Sequence, residues 1–222
     1  MPNLSAAMRT KEQILALLEN PGVIAVVRAK SAEQVVPLTE TLIEAGFRAV
    51  EITMTTPNAL DGIRQAAARF AKIASIGVGT VLNAETARRA LDAGAEFIVS
   101  PITKPEIAQV AGAAARPVML GAYTPTEAQL AFEAGTDYVK LFPADTLGPG
   151  YIKALRAPLP HLRIVPTGGV TLDNIFDFFA AGCPAVGLGS SLISKSVLEK
   201  NDWESLKKVA NEFVGAAQLA RK

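Results

Sequence analysis

The 222-residue chain holds one cysteine, one histidine and one tryptophan, and aromatic residues make up only 6% of it. The lone cysteine, Cys183, excludes a disulfide within the chain. In its small-residue setting, AGCPAV, it reads as a buried thiol of a reducing compartment. The lone histidine, His161, excludes a metal site built on several His and Cys ligands, so no metal and no cofactor are expected. Charge of either sign is in short supply: 22 Lys and Arg against 21 Asp and Glu leave a net charge of +1. That balance lacks the basic stripe of a nucleic-acid binder. No apolar run is long enough to span a bilayer, and the opening MPNLSAAMRT lacks the apolar core of a signal peptide, so the cytoplasm is the expected compartment. No G-x-G-x-x-G follows the first apolar run, where VVRAKS stands instead, and this weakens a dinucleotide-binding reading. No linker rich in Pro, Gly or Ser divides the chain, and residues 1–222 are expected to form one domain.

What is present is a recurring pattern. Eight short runs, VIAVV (23–27), AVEI (49–52), KIASI (72–76), EFIV (96–99), PVML (117–120), DYVKL (137–141), RIVP (163–166) and AVGL (185–188), are near-continuously apolar. Runs of that kind predict parallel strands buried on both faces. Helix signals separate them. Ser31 with Gln34, and Thr124 with Glu127, have capping-box spacing, and Asn83 can cap AETARRAL. Thr56-Pro57 and Thr124-Pro125 put proline where a helix begins. The segments EAGF, DAGAEF, EAGTDY and AAGCPAV end helices at a glycine suited to the left-handed turn. An extra helix, boxed by Thr10 and Gln13 and stopped by Pro21-Gly22, precedes the first run and can plug the bottom of a barrel. A last helix from about Trp203 carries Leu206, Val209, Ala210, Phe213 and Val214 at core spacing. The pattern predicts a single (β/α)8 TIM barrel with an extra N-terminal helix. An open doubly wound sheet is the alternative.

In such a barrel, function sits at the C-terminal ends of the strands. Lys140 lies there inside the apolar DYVKLF. Burial of a lysine is costly unless it is paired or neutral, and a neutral amine attacks carbonyls. Glu51, inside AVEI, is a carboxylate in an equally apolar strand, where a raised pKa suits proton transfer. A structural ion pair between the two is the other reading. Lys104 in SPITKPE is a second candidate amine, better solvated, and Lys153 is expected on a helix face. Gly168-Gly169 after the seventh run and Gly189-Ser190 after the eighth stand where barrels of this kind hold phosphate. Arg28 can clamp a carboxylate, with Thr80 hydrogen-bonding it, or stand on the surface of the first loop. An amine, a proton shuttle and a phosphate site together describe Schiff-base carbon–carbon chemistry. An enolising sugar-phosphate isomerase or epimerase with Glu51 as base, and a non-catalytic sugar-phosphate sensor, are the competing readings.

The chain resembles the 2-keto-3-deoxy-6-phosphogluconate (KDPG) aldolase family, with its galactonate and 4-hydroxy-2-oxoglutarate relatives. The likeness runs over roughly residues 20–195, on IAVVR (24–28), AVEITMTTP (49–57), GVGTVL (77–82), VSP (99–101), VKLFPA (139–144), GPGYIKAL (148–155), VPTGGV (165–170) and GLGS (187–190). The resemblance implies pyruvate and glyceraldehyde 3-phosphate as products and a homotrimer as the assembly. It implies Lys140 as the Schiff-base residue and Glu51 as acid/base. Thr80 and Pro101 match the pyruvate pocket, Phe142 a ring beside the imine, and Arg28 a substrate-contacting arginine found in part of the family; Thr53 and Thr167 are expected to contact substrate as well. Gly168, Gly169, Gly189 and Ser190 match phosphate contacts. Some relatives carry an arginine for the pyruvate carboxylate where this chain has Met54, which leaves that task to Arg28 or to backbone donors. Thr167 resembles gluconate-type members, whereas GPGYIKAL is shared with galactonate-type ones.

Overall fold

Each of the eight apolar runs becomes a parallel strand in the computed structural model, which describes residues 9–221. The strands are β1 (Val23–Val27), β2 (Ala49–Thr53), β3 (Ser75–Gly79), β4 (Phe97–Val99), β5 (Val118–Ala122), β6 (Tyr138–Leu141), β7 (Ile164–Pro166) and β8 (Val186–Leu188). Neighbours run β7-β6-β5-β4-β3-β2-β1-β8, and a parallel bridge between Thr167 and Gly187 brings β7 beside β8. The ring is thus a nearly closed TIM barrel. Around it lie α2 (Ala32–Glu44), α3 (Ala59–Phe70), α4 (Ala84–Asp92), α5 (Pro105–Ala113), α6 (Pro125–Glu133), α7 (Gly148–Arg156), α8 (Ile175–Ala180), α9 (Lys195–Lys200) and α10 (Trp203–Ala220), with α1 (Lys11–Glu19) ahead of β1. None of the described helices is long and apolar enough to cross a membrane.

Two apolar clusters divide the labour. The larger lies between the strands and the surrounding helices. The smaller fills the barrel itself: Ile24, Ala49, Phe97, Val99, Met119, Tyr138, Val165 and Ala185 close on Ile14 and Leu18 of α1. The extra helix therefore does plug the bottom. Its two inward side chains are fully buried, each worth roughly 1.5–3 kcal/mol. Polar ties ring the plug: Arg9 to Glu96 at 2.8 Å, Lys11 to Asp137 at 2.7 Å, and Glu19 to both Arg163 and the Tyr138 hydroxyl.

The capping boxes at Thr10/Gln13 and Thr124/Glu127 form, and Asn83 accepts from the Thr86 N–H. The glycines that end α2, α4, α6 and α8 take positive φ, from 85° at Gly182 to 104° at Gly94. Three expectations need correction. Ser31 caps α2 without a side-chain bond, because Gln34 turns to the Lys30 N–H and to Asn201. The 72–76 run enters the sheet only at Ser75, and β3 runs on through Gly77-Val78-Gly79, since glycine is tolerated where a neighbour needs the room. Pro57 does not open a helix: α3 starts at Ala59, and the Thr56 hydroxyl instead accepts from the Ala29 N–H at 3.1 Å. That buried bond ties the loop after β2 to the loop carrying Arg28.

Candidate active site

Side chains alternate along a strand, so residues two apart share a face. Ala49 of β2 and Tyr138 of β6 belong to the barrel-filling cluster. Glu51 and Lys140, two residues further on, therefore also face the interior, one layer nearer the C-terminal rim. The Lys140 amine stands 3.7 Å from Glu51 Oε1, with their side chains 7% and 3% exposed. Both groups are shielded from bulk water, and the gap exceeds the 2.7–2.9 Å of a well-made charge-assisted bond. Oε1 of Glu51 has no hydrogen-bond partner among the described residues. Burial pushes the Glu51 carboxyl up from its ordinary range, against the opposing pull of Lys140. The two groups are held close, yet Oε1 of Glu51 is left without a hydrogen bond, unlike a buried bridge that consumes both partners.

Above the pair opens a cavity of about 420 Å³. Val26, the lateral neighbour of Glu51, and Thr167, two residues past the lateral neighbour of Lys140, both line it. So do Arg28, Phe142, Gly168, Gly189 and Ser190. The Phe142 ring centroid lies 5.3 Å from the Lys140 amine. Thr167 is buried, and its hydroxyl packs into the space that Gly187 leaves by having no β-carbon. Gly168 and Gly169 take φ of 89° and 72°, which folds the chain back at the end of β7.

The other candidates stand close by, outside the cavity lining. Thr53 is buried, with its hydroxyl 2.8 Å from that of Thr55. Thr80 follows β3 at φ 60°, a strained setting for a β-branched residue that costs about 1–3 kcal/mol. Pro101 faces a second groove with Ile102 and Tyr123, on the far side of Phe142. Gly169 packs on Asp145 and accepts from Asn174. Met54 is half-buried, with its N–H given to Gly79. The rival lysines lack burial: Lys104 caps α5, 43% exposed and 3.5 Å from Glu106, and Lys153 is exposed on α7. Cys183 is buried and its thiol is pushed up to about 12 by desolvation, with Arg156 opposing, so it is inert.

Sequence reasoning missed Lys195. It begins α9 and lines the cavity together with Ser190, and its amine stands 3.8 Å from Glu199. Its signal was faint, because SKS lies beyond the glycine motif in an ordinary helix start. With Arg28 it gives the cavity two cations, and no carboxylate lines it among the described residues.

The family model for KDPG and KHG aldolase matches residues 14–209. The chain is 33% identical over 206 residues to the 2-dehydro-3-deoxy-phosphogluconate aldolase of Haemophilus influenzae, covering 92% of this chain and 97% of that protein. It is 39% identical over 176 residues to a probable 2-dehydro-3-deoxy-6-phosphogalactonate aldolase of Rhizobium meliloti, covering 79% and 82%. Among solved structures, the KDPG aldolase of Legionella pneumophila superposes with a TM-score of 0.83 at 26% identity, over 90% of this chain and 97% of that one. In that crystal, pyruvate was captured at low pH as a covalent carbinolamine intermediate.

Proposed function

The chain belongs to the KDPG and KHG aldolase family and is a class I aldolase; from that premise we propose that it cleaves 2-keto-3-deoxy-6-phosphogluconate to pyruvate and glyceraldehyde 3-phosphate through a Schiff base on Lys140. The observation that carries this reading is the buried Lys140–Glu51 pair, its Glu51 Oε1 without a hydrogen bond, beneath a cavity with two cations. The Lys140 amine adds to the C2 ketone, and the carbinolamine loses water to give an iminium. Glu51 supplies the proton for that loss and then accepts the C4 hydroxyl proton. The C3–C4 bond breaks, its electrons pass into the iminium as an enamine, and the aldehyde leaves. Protonation at C3 and hydrolysis free pyruvate and restore the amine.

Arg28 and backbone donors hold the carboxylate end in this scheme, where Met54 cannot. Thr80 and Pro101 shape the pyruvate pocket, Thr53 contacts substrate, and Phe142 covers the imine. Gly168, Gly169, Gly189 and Ser190 receive the phosphate, and Lys195 adds a charge at that end. Lys195→Gln is expected to cut the kcat/KM preference for the phosphorylated acid over its unphosphorylated analogue by about five- to tenfold, roughly the 1–1.4 kcal/mol of one partly screened charge. An unchanged ratio would remove Lys195 from the phosphate end.

Thr167 favours the gluconate epimer, because a buried hydroxyl can bond one configuration of a substrate hydroxyl and not the other. The identity to the Rhizobium meliloti protein favours the galactonate epimer as the second reading. Pyruvate release from each epimer, followed side by side, tests the function and chooses between them; release from neither would reject it. We further propose a homotrimer. Ile102, Tyr123 and Leu130, each 39–50% exposed, line one groove separated from the catalytic cavity by Phe142, and they support an apolar interface there. Sedimentation is expected to give three times the monomer mass, and Leu130→Glu to lower it; a monomeric wild type would refute the assembly.

A further inference from the structure

Gly79 closes β3 beside Thr53, on the face it shares with Gly77, the lateral neighbour of Glu51. A β-carbon at Gly79 would overlap Oε1 of Glu51 outright and stand 2.5 Å from Cδ and 2.7 Å from Cγ. All three of the nearest heavy atoms belong to that one side chain. Gly79 is also absent from the residues with positive φ. Its backbone would accept an L side chain, so the need for glycine here is steric, and the nearest obstacle is Glu51. The neighbouring glycines differ: Gly77 makes room for the Phe97 ring, which belongs to the barrel filling.

The consequence lies in the 3.7 Å gap between Glu51 and Lys140. A glutamate and a lysine facing one another in a barrel interior have the reach to close such a gap. Closed, they form a buried ion pair that engages the amine and leaves no opening for a carbonyl. Lying over β3, the carboxyl instead stays near the amine without bonding it. We propose that Gly79 is a positioning residue: the volume vacated by its missing side chain seats Glu51 against β3 and keeps the Glu51–Lys140 pair open for substrate. The role rests on the Schiff-base reading above, since it is the amine and the proton shuttle that are being kept apart.

Gly79→Ala forces the carboxyl off β3 and towards the barrel axis. Its kcat is expected to fall about 10²-fold, the scale of a displaced acid/base group, with a smaller change in KM. Borohydride trapping of pyruvate should slow in step, and the acid limb of the pH profile should move to lower pH as the carboxyl closes on Lys140. Adding Glu51→Asp, one methylene shorter, to Gly79→Ala should recover at least about tenfold of kcat. Thermal unfolding separates this from a general packing defect: Gly79→Ala should lower Tm with Glu51 present and have little effect in Glu51→Ala, a coupling that requires no turnover. An equal Tm loss in both backgrounds, or a Gly79→Ala enzyme within about twofold of wild type in kcat and pH limb, would overturn the proposal. If wild type forms no pyruvate adduct, the Schiff-base reading falls by itself, and the Tm coupling still decides whether Gly79 seats Glu51.

Discussion

Lys140→Ala is expected to abolish aldol cleavage, lowering kcat/KM by at least about 10⁴-fold, and to abolish the pyruvyl adduct that borohydride is expected to fix on the wild-type protein. The size follows from the role. A group that forms the covalent intermediate has no substitute in the site, whereas a group that only orients substrate leaves the pathway open. The competing amines are poorly placed. Lys104 stands 43% exposed with Glu106 beside it, and Lys195 is 90% exposed on the cavity wall. Peptide mass spectrometry of the reduced adduct should therefore find it on the peptide carrying Lys140. An adduct on Lys104 would preserve the reaction class and overturn the site. No adduct on folded protein in excess pyruvate would leave enolisation by Glu51 as the reading to test. Lys140→Met keeps the apolar stem and guards against a folding artefact, because it fills the volume that alanine vacates.

The barrel was legible because its strands are buried on both faces. Every such strand reads as an apolar run, and a single charge inside one, as in AVEI or DYVKL, is conspicuous. Lys140 and Glu51 were visible for that reason, and so were the glycine turns after β7 and β8. Their shared orientation was not. It depends on the register, in which each lies two residues beyond a member of the barrel filling. Gly79 illustrates the same limit more sharply. In GVGTVL it reads as one glycine of a turn, and only the path of Glu51 across β3 reveals what its missing side chain is for. Thr56 was misread by the opposite route. Its spacing to Pro57 fits a helix start, yet a hydroxyl that meets an unpaired N–H from another loop is worth more there than at a cap, and Ala29 supplies one. Lys195 escaped because an exposed lysine at a helix start has many ordinary explanations, and only the cavity wall singles it out.

Glu51→Gln carries the second large expectation, and its sign follows from burial. Desolvation raises the Glu51 carboxyl, and the Lys140 charge offsets this only in part. The carboxylate form, which in the proposed scheme accepts the C4 hydroxyl proton, is therefore lost as pH falls through a value above the ordinary carboxylate range. Wild-type kcat/KM for cleavage should show an acid limb there. Glu51→Gln should remove that limb and lower kcat by about 10²–10⁴-fold, while leaving Lys140 able to form an adduct with pyruvate at a reduced rate. Stability should move the other way. A carboxyl raised by folding contributes stability that is full below its unfolded value and is lost as pH rises through its folded value. At higher pH the wild type carries a charge that its site disfavours, and glutamine does not. The variant's Tm should thus exceed the wild type's on the alkaline side of the limb, by about 2–4 °C for each kcal/mol recovered, and the difference should shrink in acid. Glu51 would then be a residue that costs stability where it is ionised for work. A variant that keeps the acid limb would assign that limb to another group, and one no more stable than wild type at any pH would mean that Lys140 fully compensates the buried charge.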